Sequence, residues 1–287
     1  MNWTIIGCGW LGTSLAQSLL QNGDVVYGTT TSRERQFSLL QQGIKATIFN
    51  VNSQISTELI DISEVVVLSI PPFDKNNPLT YGESLVHLVQ QFKSTTQFIF
   101  LGSTGVYPQK NAVFSEEYEF EKEEQATSLF QAEKLLNEFL KKRLTILRLG
   151  GLFGDDRHPI YHLEGKTGIK NPNGKINFVG KKDIIFVVQE LAAQKKLGGI
   201  YNLVYPEHPT REKYYLKKAK EKYPKIIKDV RGVGLMIGVE LNKNYAIVIT
   251  TNAGLWRYKI GDTIRFKSLN PYRIVVTGRT KHFINVF

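Results

Sequence analysis

The run Gly7-Cys8-Gly9-Trp10-Leu11-Gly12 constrains this chain more than any other stretch, because three glycines at fixed spacing join a strand to a helix. Trp3–Ile6 is a short apolar run of the kind that forms a buried strand. Leu11, Leu15, Ala16, Leu19 and Leu20 then repeat at helical spacing until Asn22-Gly23 stops them. A plain strand-to-helix turn needs one such glycine. Here Gly7 permits the tight turn, Gly9 lets an anionic group approach the backbone, and Gly12 lets the helix pack close on the strand. The helix N-terminus offers unpaired N–H groups and the positive end of its dipole to a phosphate. The loop residues Gly7, Cys8, Gly9, Trp10, Leu11 and Gly12 are therefore expected to hold the pyrophosphate of a dinucleotide. Cys8 reads as a small filler, in a place where a helix N-terminus can lower a thiol pKa.

Beyond the loop, strands and helices alternate. Val25–Tyr27, Thr47–Phe49, Val65–Ile70, Phe98–Leu101 and Thr145–Leu149 read as strands, and Ser32 is placed to cap a helix that Gly43 ends. Further helices are expected near Tyr81–Phe92 and over Thr127–Lys141. Val65–Ile70 is apolar throughout, as a strand buried on both faces should be. The alternation predicts an α/β fold, a Rossmann-type doubly wound parallel sheet with right-handed crossovers. Ligands in such sheets sit beyond the carboxyl ends of the strands, so Ile70 and Pro71, where the fourth strand ends, join the expected cofactor lining. The region from Gly150 to about Tyr205 carries a further αβ signal at Ile184–Ala193 and Ile200–Val204, and is expected to be a smaller part covering the substrate.

The tip of the second strand chooses the cofactor. An acidic residue there would bind the ribose 2′-hydroxyl of NAD. The chain instead reads Gly28-Thr29-Thr30-Thr31-Ser32-Arg33. The hydroxyls of Thr30 and Ser32 and the guanidinium of Arg33 suit a 2′-phosphate, which favours NADP over NAD.

Charge separates the chain into parts. Residues 1–210 carry 20 Lys+Arg against 21 Asp+Glu, whereas residues 211–287 carry 17 against 5, so the net +11 comes from the tail. Nucleic-acid binding would show steep salt dependence, but the tail has no recognisable nucleic-acid motif and the reading is disfavoured. No apolar run is long enough to span a bilayer. The N-terminus enters Trp3-Thr4-Ile5-Ile6 without a basic and apolar leader, and Cys8 is a lone cysteine, so a reducing, cytoplasmic setting is expected. The acidic run Glu116, Glu117, Glu119, Glu121, Glu123 and Glu124 reads as a solvated face. Pro159 argues against a helix that would bring His158 and His162 together on zinc, and no metal site is expected.

Four segments in order carry a resemblance. They are Ile5–Gly12, Gly28–Ser32, Leu101-Gly102-Ser103-Thr104-Gly105-Val106-Tyr107 and Leu147-Arg148-Leu149-Gly150-Gly151-Leu152-Phe153-Gly154. Together they resemble the extended short-chain dehydrogenase/reductases, and more narrowly an atypical NAD(P)-dependent epimerase/dehydratase branch, over residues 1–215. The resemblance implies an oxidoreductase, epimerase or dehydratase acting on a sugar-like or small carbonyl substrate. It implies that Ser103 polarises the substrate oxygen, and that a Tyr with a Lys four residues on supplies the acid/base. Lys134 matches the lysine, but Phe130 stands where the tyrosine belongs. A phenyl ring has no proton to give, so Tyr107 is the candidate replacement, and a catalytically silent NADP-binding sensor is the alternative. Arg148 is open to a substrate contact or a structural ion pair.

The tail breaks away. Residues 216–244 read as a basic helical linker, and Val230–Leu241 resembles the small domain of class III pyridoxal-phosphate aminotransferases, without that family's cofactor lysine. Residues 245–287 resemble the auxin-responsive acyl-amido synthetases, in which the residue matching Asp262 contacts a nucleotide ribose, but the phosphate-binding loops are missing. Ala246–Thr251, Thr263–Phe266 and Arg273–Thr277 are the expected strands of this part. The chain reads as a composite.

Overall fold

The computed structural model describes residues 1–74, 77–110, 112–159, 161, 171–222, 227–233, 236–241, 245–249, 258–269 and 272–279, from 222 onward as backbone only. The chain forms two compact units. The first comprises Met1–Leu152 with Asn177–Tyr205, the second Phe153–Ile176 with Pro206–Phe287.

The first unit alternates strand and helix. It runs β1 (Asn2–Ile6), α1 (Trp10–Gln21), β2 (Val25–Thr30), α2 (Arg33–Gln41), β3 (Lys45–Ile48), α3 (Thr57–Ile62) and β4 (Val65–Leu68). It continues through α4 (Pro78–Val89), β5 (Gln97–Ser103), α5 (Ser128–Leu140) and β6 (Leu144–Leu149). Two short strands, β7 (Gly151–Phe153) and β8 (Phe178–Gly180), pair with each other, and α6 (Lys181–Ala193) and β9 (Gly199–Leu203) follow. Seven strands lie in the order β3-β2-β1-β4-β5-β6-β9, and every neighbouring pair is parallel. This is the doubly wound sheet expected from the alternation.

The sheet is buried on both sides because its strands are apolar at consecutive positions, and consecutive side chains face opposite ways. Ile5, Val67, Ile99 and Leu147 share one core with Leu11, Leu15 and Leu19 of α1. Ile6, Val66, Leu68, Phe98, Phe100 and Ile146 share the other with Leu85 of α4 and Leu136 of α5. Capping residues set the helix starts: the Ser32 hydroxyl accepts the Arg35 N–H at 3.3 Å, and Thr127 Oγ1 accepts the Phe130 N–H at 3.2 Å.

Residues 181–203 correct an expectation. They belong to the main sheet rather than to a covering part, because β9 pairs parallel with β6 and Ile184, Val188 and Ala192 of α6 complete the core behind α1. Gln189 of α6 also donates to Ser18 of α1 at 3.1 Å. The turn of helix at α3 was not expected. It buries Leu59 alone of its residues, too little for an apolar period to show.

In the second unit α7 (Arg211–Lys222) runs straight through the boundary expected at residue 215. After it come β10 (Ile227–Val233), β11 (Met236–Leu241), β12 (Tyr245–Ile249), β13 (Tyr258–Leu269) and β14 (Tyr272–Arg279), an antiparallel sheet in chain order. Val230 pairs with Val239, Val239 with Ala246, Ala246 with Thr263 and Ile264 with Val276. Residues 227–233 and 236–241 are therefore strand rather than helical linker. The sheet takes in both tail segments that the sequence reading kept apart, and five strands hold together where three short runs would be marginal.

Candidate functional site

At the carboxyl ends of β1, β2, β3 and β4 the first unit opens a cleft of about 870 Å³. Its floor is the glycine loop. Gly7 adopts φ +96°, and a Cβ there would lie 2.6 Å from the Ser69 carbonyl oxygen. A Cβ on Gly12 would lie 2.5 Å from the Gly7 oxygen, so α1 sits on the loop with no room for a methyl group. The Gly7 N–H donates to Thr29 Oγ1 at 3.0 Å and the Cys8 N–H to the Thr29 oxygen at 2.8 Å, which ties the loop to β2. Gly9 is different: a Cβ there would meet nothing within 4 Å, and the residue borders the cleft. The three glycines thus divide the work as their spacing suggests, two for close packing and one for an open approach.

Of the residues expected to hold a dinucleotide, Gly7, Cys8, Gly9, Thr30, Ser32, Ile70 and Pro71 line this cleft. Trp10, Leu11, Gly12 and Arg33 do not. Leu11 and Gly12 are buried beneath the loop, and the Trp10 ring carries the Lys181 ammonium 4.4 Å from its centroid. Arg33 is exposed on α2, and Arg35 stands in the lining instead. Two residues along a helix turn a side chain by about 200°. With Ser32 as N-cap that rotation carries Arg35 over the loop, where Nε donates to the Cys8 oxygen at 3.3 Å and Nη2 to Thr13 Oγ1 at 3.2 Å. The cap was visible in the sequence, and the phase it sets was the overlooked signal. Glu34 is the one carboxylate among the described lining residues, and it lies on α2 rather than at the tip of β2.

Cys8 is buried and forms no disulfide. Burial pushes its thiol up to about 11, outweighing the Thr29 backbone contact and the Arg35 charge, in keeping with a small buried filler rather than a reactive thiol. A thiol reagent at pH 7.5 is expected to label native protein far more slowly than urea-unfolded protein; equal rates would show an accessible thiolate.

At the end of β5 the Ser103 hydroxyl accepts the Gly105 N–H at 3.0 Å, which leaves its own hydrogen free to donate. Lys134 is exposed on α5, one turn after Phe130. The Phe130 ring lies 4.9 Å from that of Phe120, beside a cluster in which Phe114 and Phe120 stack on Tyr107 and Tyr118 meets Phe114 and Phe120 edge-on.

The structure places Tyr107, the candidate replacement for the missing acid, in a buried network. It is 7% exposed, and its hydroxyl faces the Ser115 oxygen at 2.9 Å and Asn202 Oδ1 at 2.8 Å while accepting from Arg148 Nη1 at 2.7 Å. Arg148 in turn donates to Glu133 through Nη2 at 2.7 Å and Nε at 3.0 Å, with both residues buried. Burial pushes the Glu133 carboxyl up and the guanidinium pulls it back. Arg148 is thus the structural ion pair, not a substrate contact.

Parts of the acidic run are also structural rather than solvated. Glu116 accepts the Asn202 N–H at 2.6 Å, and Glu124 binds Lys110 at 2.6 Å and the Tyr118 hydroxyl at 2.9 Å. In the second unit His158 stacks on Tyr214 and bonds its hydroxyl at 2.9 Å; His162 lies outside the described residues, as do the side chains of residues 219, 220 and 222 onward, Asp262 included. Among the described residues there is no cluster suited to a metal ion, and no helix long and apolar enough to cross a membrane.

Comparison with known proteins follows this division. A family model described as NADP oxidoreductase, coenzyme F420-dependent, matches residues 2–84. The GH3 family central domain matches residues 216–279, so one family spans both halves of the tail. The chain is 28% identical over 228 residues to Protein YeeZ of Escherichia coli K12, covering 75% of this chain and 82% of YeeZ. The structure of a putative NAD-dependent epimerase/dehydratase from Methylobacillus flagellatus superposes with TM-score 0.58 at 19% identity, over 81% of this chain and 84% of that one. Gre2 from Candida albicans superposes with TM-score 0.64 at 16% identity, over 78% and 83%. The resemblance read from the glycine loop and the three segments after it therefore holds: this chain has the Rossmann fold of the NAD-dependent epimerase/dehydratases and short-chain reductases.

Proposed function

We propose that the first unit binds NADP(H) and serves as an oxidoreductase or epimerase on a small sugar-like or carbonyl substrate. The observation that carries the cofactor half is Arg35 over the glycine loop, in a cleft whose β2 tip bears hydroxyls instead of a carboxylate. Gly9 would admit the pyrophosphate to the N-terminus of α1, and Thr30, Ser32 and Arg35 would take the 2′-phosphate, a planar guanidinium being suited to a dianion. The nicotinamide would supply hydride transfer when bound. Ser103 would donate its hydroxyl hydrogen to a substrate oxygen, and Lys134 would lie toward the same end.

The observation favouring a second reading, a silent sensor, is Phe130 in place of the tyrosine, with Tyr107 held in a buried network. Calorimetric titration with NADPH and NADH tests the cofactor binding that both readings share. NADPH is expected to bind at least tenfold tighter, and Arg35→Ala to remove most of that preference. Binding of neither cofactor would refute the proposal. With NADPH bound, turnover across nucleotide sugars and small carbonyls that falls in Ser103→Ala and rises in Phe130→Tyr supports the enzyme. Binding without turnover in any variant supports the sensor.

A further inference from the structure

We propose that Phe73 is the stacking face for the adenine ring of the dinucleotide, a role that rests on the cofactor reading above. Phe73 is 45% exposed and borders the cleft. A phenyl ring left in water forfeits much of its hydrophobic stabilisation, and an exposed ring on the wall of a concave site is placed to cover the flat face of a ligand.

The ring is held in this position. It meets Tyr81 edge-on, with centroids 5.6 Å apart and planes at 88°. Tyr81 is 1% exposed, and its hydroxyl donates to the Ile70 oxygen at 2.5 Å, so the segment leaving β4 is pinned to α4. Pro71 and Pro72 restrict the backbone between Ile70 and Phe73. A buried framework thus presents one open aromatic face.

The rest of the lining says what that face meets. Phe49 and Val51, after β3, add apolar surface to the same cleft, which also holds Gly9, Ser32 and Arg35. A ligand matching that combination carries a flat apolar ring and phosphate groups, as a purine nucleotide does. The ring is adenine rather than nicotinamide, because the groups suited to the 2′-phosphate share this cleft, whereas Ser103 and Lys134 are absent from its lining. Stacking of one base on one aromatic side chain is sequence-tolerant and strong enough to register in affinity.

The test uses the full chain and two ligands, NADPH and 2′,5′-ADP, the second carrying adenine and the 2′-phosphate without nicotinamide. Phe73→Ala is expected to weaken both by about tenfold. Phe73→Trp is expected to keep affinity within about threefold, with indole fluorescence quenched by 2′,5′-ADP. Thermal melts verify that the alanine variant folds, and the tryptophan signal reads the contact directly. Unchanged affinity for both ligands in Phe73→Ala, or a loss confined to NADPH, would overturn the assignment. Wild-type protein that binds neither ligand would remove the cofactor reading and this inference together, whereas wild-type binding with an indifferent Phe73→Ala removes the inference alone.

Discussion

Gly9→Ala is expected to leave the fold standing and weaken NADPH binding by about tenfold or more, while Gly12→Ala is expected to lower stability itself. The two glycines lie three residues apart in one loop, yet their surroundings are opposite. Gly9 has φ −78° and ψ −154°, a conformation open to any L-residue, and its missing side chain faces empty space at the cleft. A methyl group there costs the protein nothing in contacts. It holds an incoming phosphate away from the α1 amides, and hydrogen bonds to a charged group are worth about 1.5–3 kcal/mol each. At Gly12 the methyl group meets the Gly7 carbonyl at 2.5 Å and Ile5 Cγ2 at 3.2 Å. The first of these is backbone and cannot rotate away, so overpacking of about 1–3 kcal/mol follows. Urea unfolding paired with NADPH titration checks both variants. A Gly9→Ala protein that binds as well as wild type would place the pyrophosphate elsewhere.

Arg148→Met is expected to destabilise the first unit by about 3–5 kcal/mol at neutral pH. The substitution leaves Glu133 buried without its cation and the Tyr107 hydroxyl without its donor. The loss should depend on pH, and its sign follows from protonation. Burial already holds the Glu133 carboxyl above its ordinary value, and without Arg148 nothing opposes that rise. The folded variant then binds a proton that the unfolded chain has released. Its stability is greatest below the unfolded carboxylate pKa of about 4.3 and falls as pH rises toward the raised folded value. Urea midpoints at pH 5 and pH 7.5 should show the deficit relative to wild type growing with pH. A deficit independent of pH would mean that Glu133 is not the group left exposed to burial.

Much of the first unit was legible because its signals are local. The runs Trp3–Ile6, Val65–Ile70 and Thr145–Leu149 became the central strands Asn2–Ile6, Val65–Leu68 and Leu144–Leu149, and Ser32 became the cap it was expected to be. What failed depended on phase or distance. Arg33 yielded to Arg35 because a helix turns by about 100° per residue, and only one of two neighbouring arginines can face the loop. Residues 181–203 read from sequence as a covering part because a short αβ signal carries no mark of which sheet it joins. Resemblance divides the tail between residues 244 and 245, while backbone pairing of Val239 with Ala246 runs across that division.

Sequence alone carries the alternation of strand and helix, the spacing of the glycine loop, and the absence of a carboxylate at the tip of β2. It also showed the phenylalanine in the acid's place. Those properties live in nearest neighbours and short periods, which a chain carries along its length. The tertiary structure was needed to show the Tyr107 hydroxyl inside a buried network, since its partner Asn202 lies 95 residues away. Only it joined Arg148 to Glu133, set Arg35 over Cys8, and left the Phe73 ring open on the cleft wall. A hydroxyl, a guanidinium or a phenyl ring has the same composition whether it binds a ligand or its own fold. Which of the two it does is settled by what the remote chain brings within hydrogen-bond reach.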